Sequence, residues 1–338
     1  MTRILLTHSP RSLANYYGER ALRELRCLGE VRLNPGEDPA TPQALIDLAQ
    51  GCQIIVSSRQ AAAPAAVFDA LPDLVAFCRV AMDVRNIDVE AAGRHGVLVT
   101  HATPGFAASV AEWVVGAMID ASRGISRAVH AYRRGAAPEI GMGRELRGAT
   151  LGIIGHGAIG AHLSPLALAF GMRVLVSDPA PVVALPAGVQ STGMDALLQE
   201  SDYVVCLAPA LPQTANLIDA AALARMKRDA IFINASRGEL VDEAALRDAL
   251  DRGAIAGCAL DVGRAPDQMP SPALAAHPRV IATPHIGGLT PQATQHQAMD
   301  TVAQVRAMLE GRMPPHALNP DQATRLARLT ARTSEVPR

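Results

Sequence analysis

The chain has no apolar run approaching the ~18 residues that a membrane-spanning helix needs. None of its five Cys stands in a C-x-x-C pair, and basic residues do not outnumber acidic ones: the net charge is −1 and the pI about 6.8. Each absence excludes something. Without a spanning helix there is no integral membrane protein of the helical kind. Without paired, regularly spaced cysteines there is neither a disulfide framework nor a zinc ribbon, so Cys27, Cys52, Cys78, Cys206 and Cys258 read as reduced thiols and no metal site is suggested. Without a basic stripe the chain is not a general nucleic-acid binder. The opening MTRILLTHSPRS reads as a short strand rather than a signal peptide, and a cytoplasmic protein is the expectation.

What is present is a rhythm. The 338 residues, 49% apolar and 19% charged, suffice for two domains of ordinary size. Short apolar runs at 3–8, 30–34, 53–58, 74–80 and 96–102 alternate with helical patterns, which predicts a parallel α/β sheet. A long helical pattern at 104–134 interrupts it. Six further apolar runs follow, at 149–155, 172–178, 203–209, 230–236, 255–262 and 279–285. Several lack alternation, as expected of strands buried on both faces. Six strands in this rhythm fit a complete dinucleotide-binding sheet.

The first of these six ends in Gly155-His156-Gly157-Ala158-Ile159-Gly160, and Asp178 ends the next, eighteen residues after Gly160. A glycine fingerprint between strand and helix, with an acid at the following strand end, fits a dinucleotide site. Gly155 permits the turn, Gly157 lets backbone approach a pyrophosphate, and Gly160 lets helix and strand pack. The helix N-terminus meets the phosphate charge. Asp178 would accept from the ribose hydroxyls and oppose a 2′-phosphate, which favours NAD over NADP. His156 sits where only backbone is needed and reads as exposed and incidental. Pro165 should bend the following helix.

At this point the chain resembles the D-isomer-specific 2-hydroxyacid dehydrogenases, the family that includes D-3-phosphoglycerate dehydrogenase and glyoxylate/hydroxypyruvate reductase. The resemblance rests on NIDVEAAGRHGVLVTHATPG with SVAEW, on LRGATLGIIGHGAIG, on INASRGELVDEAAL and on ATPHIGGLT, in that order. It implies a Rossmann-type NAD-binding domain over 103–287. It also implies a smaller flavodoxin-like parallel α/β substrate domain split between 1–102 and 288–318. The polar, basic stretch 319–338 has little apolar face and reads as a frayed tail. A homodimer using the helix around Trp113 is implied as well.

The reaction so implied is NAD-dependent interconversion of a 2-keto acid and a D-2-hydroxy acid. Arg237 matches the family arginine, whose planar fork can hold carboxylate and carbonyl oxygens together. His285 matches the acid/base, and with Gly287 it borders the cofactor site. Asp261 matches a position that helps hold the nicotinamide carboxamide, and Pro209 and Ala235 would line the cofactor cleft.

Two stretches depart from the family. The family reads DVFxxEP, but the Glu position here is Pro266 in DVGRAPDQMP. Aligning instead on Pro270 puts Asp267 in the Glu position, where it would partner His285 and favour the imidazolium. The alternative is a solvated Asp267 and a His285 that works alone. The second departure is RVAMDVRNID, where Asp83 stands in a loop that is usually Gly-rich. Either Asp83 points away, paired with Arg79 or Arg85, or the substrate is atypical. An NAD-binding sensor or scaffold of the same fold also stays open.

Overall fold

The apolar runs form strands, and most are followed by a helix that carries the chain back before the next strand, so the strands pair in parallel. The computed structural model describes residues 1–180 and 185–331. It divides into two units: Met1–Gly105 with the chain from Pro291 onward, and Phe106–Thr290. Both boundaries fall about three residues beyond the expected ones.

In the first unit, β1 (Arg3–Leu6), β2 (Glu30–Leu33), β3 (Ile54–Ser57), β4 (Ala76–Arg79) and β5 (Leu98–His101) form a parallel sheet in the order β2-β1-β3-β4-β5. This is the flavodoxin-like order. β3 and β4 are buried at every position, which is why their sequences do not alternate. Leu22, Leu25, Val302, Val305 and Met308 cover one face; Leu45, Phe68 and Leu71 cover the other. The tail expected from 319 is, as far as 331, part of this unit. Asn319 accepts from the Val99 N–H and donates to the Val97 carbonyl, each at 2.8 Å. Arg325 donates to the carbonyls of Leu71 and Leu74, and Leu329 is buried. Polar side chains bonded to backbone hold this segment, so composition did not signal it. The rest of that expectation, 332–338, lies outside the described residues.

In the second unit, β6 (Thr150–Ile154), β7 (Arg173–Ser177), β8 (Val189–Ser191), β9 (Tyr203–Cys206), β10 (Ile231–Asn234), β11 (Gly257–Leu260) and β12 (Val280–Ala282) are again parallel. Their order is β12-β11-β10-β9-β6-β7-β8. This is the Rossmann order with one strand added, so the sheet has seven strands rather than six. The overlooked strand is β8. The expected helix over 104–134 is two, Ala107–Arg123 and Ile125–Arg133, broken where Gly124 takes φ +64°. The first buries Val110, Val114 and Met118 in the core of this unit, each contributing about 1.5–3 kcal/mol. The helix Ala158–Ala169 runs through Pro165. Among the described residues no helix is long and apolar enough to cross a membrane.

Candidate active site

Parallel strands deliver every βα connection to one edge of the sheet, and the candidate residues of the second unit lie along that edge. β6 leads into Gly155–Gly160, β7 into Asp178, β9 into Pro209, and β10 into Ala235 and Arg237. β11 leads into Asp261 and the turn bearing Asp267, and β12 into His285 and Gly287. Since β10, β11 and β12 are neighbours, the three connections proposed for catalysis are adjacent.

The β6 connection is built for a close approach. Gly155 has φ +87°, and a side-chain carbon there would lie 2.7 Å from the Ala208 backbone nitrogen. Gly157 caps the helix Ala158–Ala169, and a carbon added to it would meet nothing within 4 Å. That open cradle at a helix N-terminus fits a pyrophosphate. Asp178 is half-buried; one of its oxygens accepts from the His156 N–H at 2.7 Å and the other from the Ala180 N–H at 2.9 Å. Each oxygen keeps a lone pair for a ribose hydroxyl.

The reading of His156 as exposed and incidental is corrected. Its ring is half-buried, with Nε2 2.9 Å from the Ser164 hydroxyl, which itself donates to the Gly160 carbonyl at 2.8 Å. With the hydroxyl donating to Gly160, the Nε2–H form of the imidazole completes the bond to Ser164, and the ring also meets its own backbone. Burial holds the imidazole below its usual range, against the opposing pull of Asp178.

Arg237 sits in a loop held by backbone. Buried Asn234 donates to the Arg237 carbonyl at 2.9 Å and accepts from the Ser236 N–H at 3.1 Å. Ser236 donates to the Ala208 carbonyl at 2.6 Å, joining this turn to the one before Pro209. A carbon on Gly238 would lie 2.2 Å from the Gly263 carbonyl, and one on Gly263 would lie 2.5 Å from Pro270 Cα. The loops after β10 and β11 therefore touch backbone to backbone. Arg264 reinforces them, donating to the Glu239 and Val241 carbonyls at 3.1 and 3.0 Å. Asn234 and Arg264 went unnoticed in the sequence, although Asn at the end of the apolar run IFIN was a usable signal.

His285 is half-buried at φ +56°, a left-handed conformation unusual for a residue with a side chain. Buried Asp261 holds the turn around it. Its carboxylate accepts from the Thr283 hydroxyl at 2.6 Å, the Ile286 N–H at 2.8 Å and the Gly287 N–H at 2.7 Å. Asp267 lies in the single 3-10 turn Pro266–Gln268; its side chain lies outside the described residues.

In the first unit, Asp83 forms an ion pair with Arg85 at 2.8 Å. Arg79 is fully buried instead, donating to the Ala61 carbonyl at 2.8 Å and Asn86 Oδ1 at 2.7 Å, and burial lowers its guanidinium to about 10.

A glycine cradle, an acid at the next strand end and polar turns along the same edge define a dinucleotide-binding α/β protein. The chain belongs to the D-isomer specific 2-hydroxyacid dehydrogenase family, whose NAD binding domain matches residues 115–287. The D-3-phosphoglycerate dehydrogenase of Mycobacterium leprae is 36% identical over 264 residues, covering 76% of this chain and 49% of that protein. The glyoxylate reductase of Korarchaeum cryptofilum is 32% identical over 309 residues, covering 89% and 93% respectively. The solved structure of the TT0316 protein of Thermus thermophilus aligns with a TM-score of 0.83 at 31% identity, covering 94% of this chain and all of that one. This chain spans about half the length of the D-3-phosphoglycerate dehydrogenases it matches.

Proposed function

We propose that this protein is an NAD-dependent oxidoreductase that interconverts a 2-keto acid and a D-2-hydroxy acid. The observation that carries the reading is the adjacency of the Arg237, Asp267 and His285 turns after β10, β11 and β12. When bound, the nicotinamide supplies or takes up the hydride. The chain's own groups do the rest. The Arg237 fork holds the substrate carboxylate and draws electron density from the carbonyl. His285 gives its proton to the carbonyl oxygen in reduction and takes it back in oxidation. Asp267 partners His285 and keeps that proton available. Backbone from Gly155 to Gly160 holds the pyrophosphate, Asp178 selects NAD, and Pro209, Ala235 and Gly287 line the cofactor. Asp261 serves the site through the turn it fastens. The first unit corresponds to the substrate domain, and within it the Asp83 charge is paired with Arg85.

A homodimer is part of the reading. Ile125, Val129, Tyr132, Ile140 and Met142 are exposed apolar side chains on the Ile125–Arg133 helix and the segment after it. They suit a second copy better than water. Free Cys27 at the surface, with Cys52, Cys78, Cys206 and Cys258 buried as thiols, supports a reducing compartment and hence the cytoplasm. The deciding experiment is a panel of 2-keto acids with NADH, followed by loss of NADH absorbance. Turnover of one member at ordinary rates is the expected result. Tight NAD binding with no turnover across the panel would favour the scaffold instead.

A further inference from the structure

The dinucleotide loop carries a titratable side chain for which the proposed reaction has no use. His156 is fixed at three points: its N–H on Asp178 at 2.7 Å, its Nε2 on Ser164 at 2.9 Å, and its ring against Gly160, where an added carbon would lie 3.0 Å from Cδ2. Ser164 is fully buried, so the anchor is rigid. The loop is thus tied at one end to the acid that meets the ribose and at the other to the first turn of the helix that meets the pyrophosphate. We propose that His156 is a positioning residue of the cofactor site whose neutral Nε2–H form locks the loop, and whose protonation on Nδ1 weakens the discrimination against a 2′-phosphate. This rests on the dinucleotide reading above.

The charge argument is local. Among the described residues, Asp178 is the charged group acting on the ring, while the helix gives it the Ser164 hydroxyl and its own backbone gives it a further hydrogen bond. With His156 neutral, Asp178 stands as a net negative charge where a 2′-phosphate would sit, and NADP is repelled. A second proton on Nδ1 leaves the Nε2–H bond to Ser164 in place, so the loop keeps its shape. The added positive charge offsets Asp178. Because burial disfavours the imidazolium, this happens on the acid side of the ordinary histidine range.

The test is calorimetric titration with NAD⁺ and NADP⁺ from neutral to mildly acidic pH on the intact protein, on His156→Gln and on His156→Ala. The Gln amide reaches Ser164 as Nε2–H does but takes no proton. Gln is therefore expected to keep NAD⁺ affinity near neutral pH, whereas Ala loses it several-fold. The ratio of NADP⁺ to NAD⁺ dissociation constants should fall on acidification in both the intact protein and Gln, because the 2′-phosphate itself titrates near ~6. The intact protein should fall further, by about fivefold, the scale of one partly exposed ion pair. Equal falls in the two proteins would overturn the charge role, and a Gln variant as weak as Ala at neutral pH would overturn the lock. An intact protein that binds neither nucleotide would instead overturn the dinucleotide reading itself, and this inference with it.

Discussion

The Asp261 carboxylate accepts the Gly287 N–H at 2.7 Å, and the two residues are so close that a side-chain carbon on Gly287 would lie 2.8 Å from the same oxygen. Only glycine can bring its N–H to that point. With the further bonds from Ile286 and Thr283, one buried acid at the end of β11 dictates the path of the chain around His285. The left-handed backbone of His285 costs on the order of 1–3 kcal/mol and persists because this acid over-determines the turn.

Asp261→Asn turns an acceptor-only group into one with two donors, so one of the three bonds is lost or reversed. Buried hydrogen bonds to a charged group contribute about 1.5–3 kcal/mol, and a stability loss of that size is expected in chemical denaturation. Turnover should fall with it, because the His285 turn loses its fastening. A variant as stable and as active as the parent would leave the turn without its proposed clamp.

Arg237→Lys keeps the charge and loses the planar fork. Asn234, Ser236 and Gly238 hold the loop through backbone and their own side chains, so its shape should survive. The expected result is a fall in kcat/KM on the order of 10²-fold with NAD affinity unchanged. Kinetics run beside calorimetric cofactor titration separate the two, and near-normal turnover would remove Arg237 from the mechanism.

Ile140 and Met142 are fully exposed, an unfavourable state for apolar side chains on a lone chain. Ile140→Glu together with Met142→Glu should convert the proposed dimer to monomer in light scattering at micromolar concentration, with secondary structure retained. A parent protein that already sedimented as a monomer would dispose of the homodimer.

Asp178→Ala removes the carboxylate that receives the His156 and Ala180 N–H groups. The NADH preference should narrow by about tenfold, one unit in log scale for a single nearby charge, and NADH binding should weaken as its ribose contacts go. Parallel KM measurements for NADH and NADPH read both effects. If the parent used NADPH as readily as NADH, the selection assigned to Asp178 would be wrong.

Much of this site was legible because the chemistry hangs from strand ends, and apolar runs mark strands. Glycines, an acid, an Arg or a His just beyond a buried run are visible in sequence, as Gly155, Asp178, Arg237 and His285 were. What was not legible came from contacts between segments that the sequence keeps apart. The bond from Asp261 to Gly287 follows from the parallel pairing of Leu260 with Ala282, which no local pattern announces. The His156–Ser164 bond needed the helix to be folded before it could be seen. β8 was missed because a three-residue edge strand, Val189–Ser191, is largely exposed and has no apolar run to betray it. Gly124 lies inside the helical pattern at 104–134, and only its left-handed backbone ends the helix.

Asp267→Asn tests the acid/base partner that the sequence most nearly lacks. Asp267 lies on a turn whose backbone is pinned. The Gly263 N–H donates to the Gln268 carbonyl at 2.8 Å, the Ala265 N–H donates to the Met269 carbonyl at 3.0 Å, and Gly263 abuts Pro270. That turn follows β11, between the strands that precede Arg237 and His285. Asp is shorter than the family's Glu by one methylene, about 1.5 Å of reach, and the extra residue before Pro270 can supply it. A carboxylate beside His285 favours the imidazolium. Reduction consumes that proton, so its rate holds below the pKa of the pair and falls as pH rises through it. Removing the charge lowers that pKa, and the alkaline limb of the profile should move to lower pH. The reduction rate near neutrality should drop by about 10²-fold, within the range for a positioned acid–base group, while NAD affinity is unchanged. Asp267→Glu keeps the charge on a longer arm and should retain most of the rate and the parental limb. If Asp267→Asn leaves both rate and limb in place, His285 works without this partner.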